Sequence, residues 1–306
     1  MPDLGTLLAV RQDFILTNVA LQFRPVNYIA DLAAPPISVS QEDGQYTIMG
    51  TEAFNAPNAQ RRPKKRYKEI DFGQTKASYH AEEYGLEFRV DDRERRAAPN
   101  GFNLESTGTE NLTAAILNNR EIRIATMLRS TANLTQNTTL SGADRWDDTS
   151  GGDPIGDIDA GAQVIEDATG IAPNTVIMPR KVFRALRRNP VIRAELLDGE
   201  QLTLPRLAEL FSVERIIISS ALYNTKALGQ TPVMGDVWGK DVILCYTNPN
   251  PADGRASLAY QLRVDDLATF RWRDVPVNCD VFRVREIGGE KIISTLLGYL
   301  LKTVIS

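Results

Sequence analysis

Six cations stand within the nine residues QRRPKKRYK of Gln60–Lys68: Arg61, Arg62, Lys64, Lys65, Arg66 and Lys68, with no acid between them. Guanidinium and ammonium groups at this density hold phosphates by charge and hydrogen bonding, or seat against acids on a neighbouring protein surface. A solvated loop is the third reading. Composition leaves all three open, and Tyr67 is the aromatic within the stretch that could stack on a base.

Other chemistry-bearing patterns fail on spacing. The single histidine, His80, would have to serve any Ser/His/Asp or Cys/His nucleophile system, and no G-x-S-x-G elbow accompanies it. One His and two isolated Cys cannot supply a common zinc site. The run GADRWDDTSGGDPIGDID carries six Asp between positions 144 and 159, but it lacks the D-x-D-x-D-G order and closing Glu of a calcium loop. It reads as a solvated loop in which Asp157 or Asp159 starts a helix that stops at Gly170. In GDVWGKD, Gly235 and Gly239 stand one residue too close for a phosphate loop, and Asp241 occupies the Ser/Thr position. Acids distant in sequence can meet in space, yet no carboxylate pair stands out. No catalytic, cofactor-binding or metal residue is assigned.

The whole chain narrows this further. With 306 residues it can bury one large or two medium cores. A net charge of −4 and pI near 5.3 oppose attraction of the whole protein to nucleic acid, so any grip on a polyanion is local. Cys245 and Cys279 sit in apolar, strand-like surroundings and read as reduced core residues. The opening MPDLGTLLAVRQDFIL has an acid at position 3 and no positive start, unlike a secretory signal. The apolar tail Ile292–Ile305 spans 14 residues around Lys302, short of a membrane helix. A soluble chain is expected.

Around the basic stretch, the pattern changes from element to element. Leu4, Leu7, Leu8, Ile15, Val19 and Phe23 have mostly helical spacing before prolines interrupt, which reads as an arm. From Ser38 to Val90, QYTIMG, EIDF and YGLEFRV alternate, predicting a long β-hairpin with the basic stretch at or near its tip. Such a ribbon is marginal alone and needs a surface to lie on. Thr107 and Glu110 form a capping-box pattern ahead of a long helix to Ser130, with apolar residues on more than one face. NTVIMP, VERIIISS, DVILCY and ASLAYQLRV read as strands and RKVFRALRRN as a short amphipathic helix, an α/β region. The tail VFRVREIGGEKIISTLLGYLLKTVI predicts a hairpin turning at Gly288-Gly289.

In order, several segments resemble the major capsid proteins of tailed bacteriophages. They are WDDTSGGDPIGDIDAGAQVIEDATGIAPNTVIMPRKVFRALRRNPVI, SALYNTKALGQTPVMGDVWGKDVILCY and VREIGGEKIISTLLGYLL. Gly170, Pro173 and Asn174, the strand ending at Met178, Asn189-Pro190, Tyr223-Asn224-Thr225 and Trp238-Gly239 carry the likeness. It implies an α+β, HK97-like capsid fold with an N-terminal arm (1–37), an extended β-hairpin loop (38–100), a spine helix and peripheral domain (101–140), an α/β axial domain (141–262) and return strands of the peripheral domain (263–306). It further implies a non-enzymatic subunit that assembles with its copies into hexamers and pentamers of an icosahedral shell enclosing double-stranded DNA. Arg61, Arg62, Lys64, Lys65, Arg66 and Lys68 would then contact an acidic surface of the adjacent subunit.

The implied partners are a separate scaffolding protein, since the arm begins almost at Met1, a portal, weakly and non-specifically held packaged DNA, and a decoration protein, with no membrane. The implied location is the virion capsid, after synthesis in the host bacterial cytoplasm. No acceptor motif accompanies the loop lysines, so no crosslink is expected. Two rival readings are an encapsulin-like compartment shell and a DNA-binding accessory protein using the basic hairpin; a hydrolase is a distant third.

Overall fold

The computed structural model describes residues 11–12, 28–48, 60–61, 66–67, 75–98, 103–148, 150–196, 201–226 and 229–306. In chain order they form β1 (Arg11–Gln12), α1 (Ala30–Ala33), β2 (Pro36–Ser38), β3 (Asp43–Ile48), β4 (Thr75–His80), β5 (Glu82–Asp91), α2 (Asp92–Ala97) and α3 (Leu104–Leu128). There follow β6 (Asn137–Thr139), α4 (Pro154–Thr169), β7 (Thr175–Pro179), α5 (Arg180–Leu186), α6 (Pro190–Ala194), α7 (Leu204–Leu210) and β8 (Arg215–Ser219). The last strands are β9 (Leu222–Asn224), β10 (Met234–Asp236), β11 (Val242–Cys245), β12 (Ala259–Asp274), β13 (Cys279–Ile292) and β14 (Gly298–Lys302).

Helix α3 bridges two sheets. Its middle buries Ile116, with Leu112 and Leu117, against Leu267 and Val284 of the first sheet. One to three turns later, Ile124, Ala125 and Leu128 pack on Ile177, Ile243, Cys245 and Leu300 of the second. The expected two-sided contact is therefore present, but the expected start is not. Asn103 caps the helix, accepting from the Glu105 and Ser106 N–H at 3.1 and 3.2 Å, and Thr107 lies inside it. Gly108 survives mid-helix because the Phe88 ring fills the place of a side chain; a Cβ there would meet the ring at 2.2 Å.

The first sheet runs β1-β12-β13-β5, with β2 added in parallel to β12. Its spine is the β12–β13 hairpin, which turns through Val275–Val277 and a left-handed Asn278. Gly288-Gly289, expected as a turn, instead lies within β13 opposite Arg263 and Leu262. The pair answers close approach: a Cβ on Gly288 would stand 2.9 Å from the Leu262 carbonyl oxygen, and one on Gly289 3.0 Å from that of His80. Beyond β13 the chain bends through Thr295–Leu297 and gives β14 to the other sheet.

That second sheet runs β6-β14-β11-β7-β8. Period-two alternation splits β7 and β11 between two cores: Ile177, Ile243 and Cys245 face α3, whereas Val176, Met178, Val242 and Leu244 face α4, α5, α6 and α7 through Ile158, Ile165, Val182, Leu186, Ile192 and Leu207. Helix α4 is capped by Asp153, not Asp157 or Asp159, and ends at a left-handed Gly170 as expected. Asp157 accepts from the buried Trp146 indole N–H at 2.7 Å instead. Both cysteines are free and buried, and burial pushes the Cys245 thiol up to about 12.

The basic hairpin is shorter in its described arms than its alternation suggested. β3 and β4 pair from Asp43↔His80 to Ile48↔Thr75, while YGLEFRV belongs to β5, which leaves the ribbon to pair with β13. Arg61, Arg66 and Tyr67 are described; Arg62, Lys64, Lys65 and Lys68 lie outside the described residues, as do most of positions 4–23 of the arm.

Candidate subunit-interface surface

Arg120 and Arg123, three apart and so on neighbouring positions of one α3 face, meet Glu286 and Glu290 of β13. Arg120 is 4 % exposed and donates Nη2 and Nε to the two Glu286 oxygens. Arg123 reaches Glu290 at 2.8 Å and Glu286 at 3.3 Å and lies 3.6 Å over the Tyr84 ring. These pairs fasten the helix to the first sheet. Their one signal in the sequence is two arginines at helical spacing along an otherwise buried stripe.

The neighbouring residue fastens the helix to everything else. Glu121, fully buried, accepts the Ile29 and Ala30 N–H on Oε2 at 3.0 and 2.7 Å and the Trp238 indole N–H on Oε1 at 2.5 Å. Those two N–H groups open α1, where no side chain of the segment itself caps them. Burial raises the Glu121 pKa, with the three donors pulling the other way.

At the far end of the sheet, Asp280 collects Arg95, Arg271 and Arg273 at 2.6, 2.8 and 3.2 Å. Burial alone would raise its pKa, but the three guanidinium donors outweigh it and hold the carboxyl down at about 2. Because the folded value lies below 3.8, this cluster stabilises the fold above that pH and loses its contribution as pH falls from 3.8 towards about 2. Solvent screening of the half-exposed arginines limits the loss to about 1 kcal/mol. Following the thermal midpoint through that interval tests this: Asp280→Asn removes this part of the acid-side slope.

The hairpin root is anchored, so what it carries has a defined origin. Tyr79 is buried and donates its hydroxyl to the Gln41 carbonyl at 3.1 Å, and the Ala81 N–H donates to Glu42 at 2.8 Å. His80, at the root, is exposed and bonded through Nδ1 to Asp43 at 2.6 Å; that bond, then the charge of Asp43, raises its pKa. It is a surface pair, as expected for an ordinary residue. In the basic stretch the Arg61 guanidinium lies 4.5 Å over the Tyr67 ring, which occupies the one aromatic that was available for a base. Among the described residues no cluster of three His, Cys, Asp or Glu could hold a metal, and no helix is long and apolar enough to cross a membrane.

Known proteins resemble the chain in sequence and in fold. No family model matches the chain. It is 25 % identical over 256 residues to the major capsid protein of Burkholderia phage BcepMu, covering 81 % of this chain and 80 % of that one. It is 28 % identical over 267 residues to the major capsid protein of Pseudomonas phage JBD67, covering 85 % and 82 %. Among solved structures, a phage-related protein from Bordetella bronchiseptica RB50 superposes with TM-score 0.78 at 26 % identity, over 97 % of this chain and 98 % of that one. The capsid of cyanophage P-SCSP1u gives TM-score 0.63 at 12 % identity over 91 % and 88 %. The chain has the HK97-like fold of phage major capsid proteins. A virus-like particle from Pyrococcus furiosus has the same fold, with TM-score 0.57 at 14 % identity over 94 % and 96 %.

The residues that carried the capsid resemblance are structural fasteners. Asn174 accepts the Thr247 N–H and donates to the Thr247 carbonyl, both at 2.9 Å, joining the start of β7 to the end of β11. Asn189 caps α6 with Oδ1 and donates Nδ2 to the Trp146 and Gly152 carbonyls at 3.0 and 3.1 Å, holding the Asp-rich loop in place. Trp238 is the partner of Glu121.

Proposed function

We propose that this chain is the major capsid protein of a tailed-phage head, assembling with copies of itself into hexamers and pentamers of an icosahedral shell around double-stranded DNA. The observation that carries the reading is α3 locked to the first sheet by Arg120 and to α1 and Trp238 by Glu121, within a capsid fold shared with named major capsid proteins. A shell subunit needs one stiff body with extensions that reach neighbours. In this reading 1–37 is the arm, 38–100 the extended hairpin loop, 101–140 the spine helix and peripheral domain, 141–262 the axial domain, and 263–306 the return strands. Arg61, Arg62, Lys64, Lys65, Arg66 and Lys68 lie across an acidic surface of the adjacent subunit. Obligate interfaces of this class bury on the order of 2,000 Å² or more, enough to order a ribbon that is marginal alone. The subunit performs no catalysis. It works with a separate scaffolding protein, a portal and decoration proteins, touches packaged DNA without sequence preference, and is made in the host cytoplasm.

Replacing the six basic residues together by Ser tests the role of the stretch. The expected result is loss of closed particles with the fold intact by circular dichroism. Intact particles with lost affinity for duplex DNA would favour the accessory DNA-binding reading. Nuclease-resistant DNA inside native particles excludes a protein-cargo compartment, which the fold by itself does not.

A further inference from the structure

We infer that the helical layer over the second sheet carries a head-to-tail charge interface: the basic α5–α6 face of one copy seats against the acidic α4 face of the next. The inference rests on the shell reading above and names the surfaces that ring formation uses.

Residues 180–193 hold six cations and no acid. Lys181 pairs with Asp236 at 2.5 Å. Arg180, Arg184, Arg187, Arg188 and Arg193 are exposed, and their side chains have no hydrogen-bond or ion-pair partner among the described residues. Many arginines elsewhere in the fold meet acids, among them Arg120, Arg123, Arg263, Arg271, Arg273 and Arg285. Five unengaged guanidinium groups in so short a stretch are the exception, and exposed like charges repel one another until counter-charge arrives.

The counter-charge stands on the same layer. Asp159, Glu166 and Asp167 of α4 are exposed and equally without partners among the described residues. Asp159 and Glu166 are seven apart, so they share one helix face, about 100° round from the buried Ile158 and Ile165, and Asp167 lies across the helix from that buried stripe. Helices α4, α5 and α6 stand on one core, with α4 packed at β14 and β11 and α5 at β7 and β8. The order β14-β11-β7-β8 therefore separates the α4 acids from the α5 cations, while α6 packs against α4. Beside α5, a cleft of about 400 Å³ is lined by Lys181, Arg184 and Arg188 together with Asp147 and Asp148. Those two aspartates accept from Ser306 and Ser150 and not from the arginines.

Rings of copies are built by heterologous contacts, which require two different, complementary patches on each subunit. Opposite charges on different helices of one layer meet that requirement. Duplex DNA fits less well, since the acids on the same surface repel phosphate.

The test is charge reversal in the full chain. R184E/R188E is expected to raise the concentration for half-maximal capsomer formation about ten-fold or more, with circular dichroism and thermal midpoint unchanged. E166K/D167K is expected to do the same, and the four-fold combination to restore assembly. If the reversed pair does not fold, Arg184→Ser with Arg188→Ser replaces it. Normal assembly of folded R184E/R188E, or no rescue by the folded four-fold variant, overturns the inference and leaves the shell reading standing. A wild-type chain that never assembles sinks both. Retained capsomers with lost binding to a duplex oligonucleotide would overturn it in favour of DNA.

Discussion

Arg120→Ala will destabilise the folded chain by about 3–5 kcal/mol, the usual cost of leaving one member of a buried ion pair alone. Arg120 and Glu286 are 4 % and 5 % exposed, and Arg120 also reaches Asp31 at 3.3 Å, linking helix, sheet and the segment after the arm. Without it, Glu286 keeps Arg123 at 3.3 Å as its one remaining guanidinium partner. Urea denaturation should show a lower midpoint with an unchanged slope, because the surface exposed on unfolding is the same. Arg120→Met combined with Glu286→Leu should recover much of the loss, since apolar replacement of a whole buried pair is often neutral. A loss below about 1 kcal/mol for Arg120→Ala would mean that the pair is not the pivot.

Glu121→Ala is the second large effect. It strands three buried donors, each costing about 1–3 kcal/mol when unsatisfied, so a total of about 3–5 kcal/mol is expected after relaxation. Trp238 fluorescence should shift with it, as its indole N–H loses its acceptor. Glu121→Gln keeps one acceptor oxygen and should cost about half as much. Its pH behaviour separates the two contributions. Burial raises the Glu121 pKa in the folded state, so the native chain binds that proton more tightly than the unfolded chain. Stability from this group therefore falls as pH rises from the ordinary carboxylate range through the raised value, then levels off. The sign is opposite to that of Asp280, whose contribution falls on acidification. Glu121→Gln should erase the first slope and leave the second; a slope unchanged in Glu121→Gln would show that another group carries it.

These two residues also show what was legible beforehand. Helix α3, the buried β7 and β11, and the Gly170 stop follow from periodicity and backbone preference, which are local properties. The helix start was misplaced because Asn103, Thr107 and Glu110 all satisfy local capping chemistry, and the Phe88 ring that admits Gly108 comes from a distant strand. Gly288-Gly289 was read as a turn for the same reason: only the approach of Leu262 and His80 reveals it as a crowded strand position. Arg120 and Glu286, 166 residues apart, could not be paired without the fold. The basic run at Gln60–Lys68 was conspicuous, whereas the one at Arg180–Arg193 was read as helix amphipathicity; its charges became informative once the structure showed which arginines were already engaged.

The central claim is self-assembly. Its most direct test is the mass of the purified native chain by light scattering, with negative-stain images, alone and with a co-expressed phage-type scaffolding protein. Capsomers of five and six copies, or closed particles, are the predicted result. A persistent monomer or dimer under every condition would contradict the shell and return the basic hairpin to nucleic-acid binding.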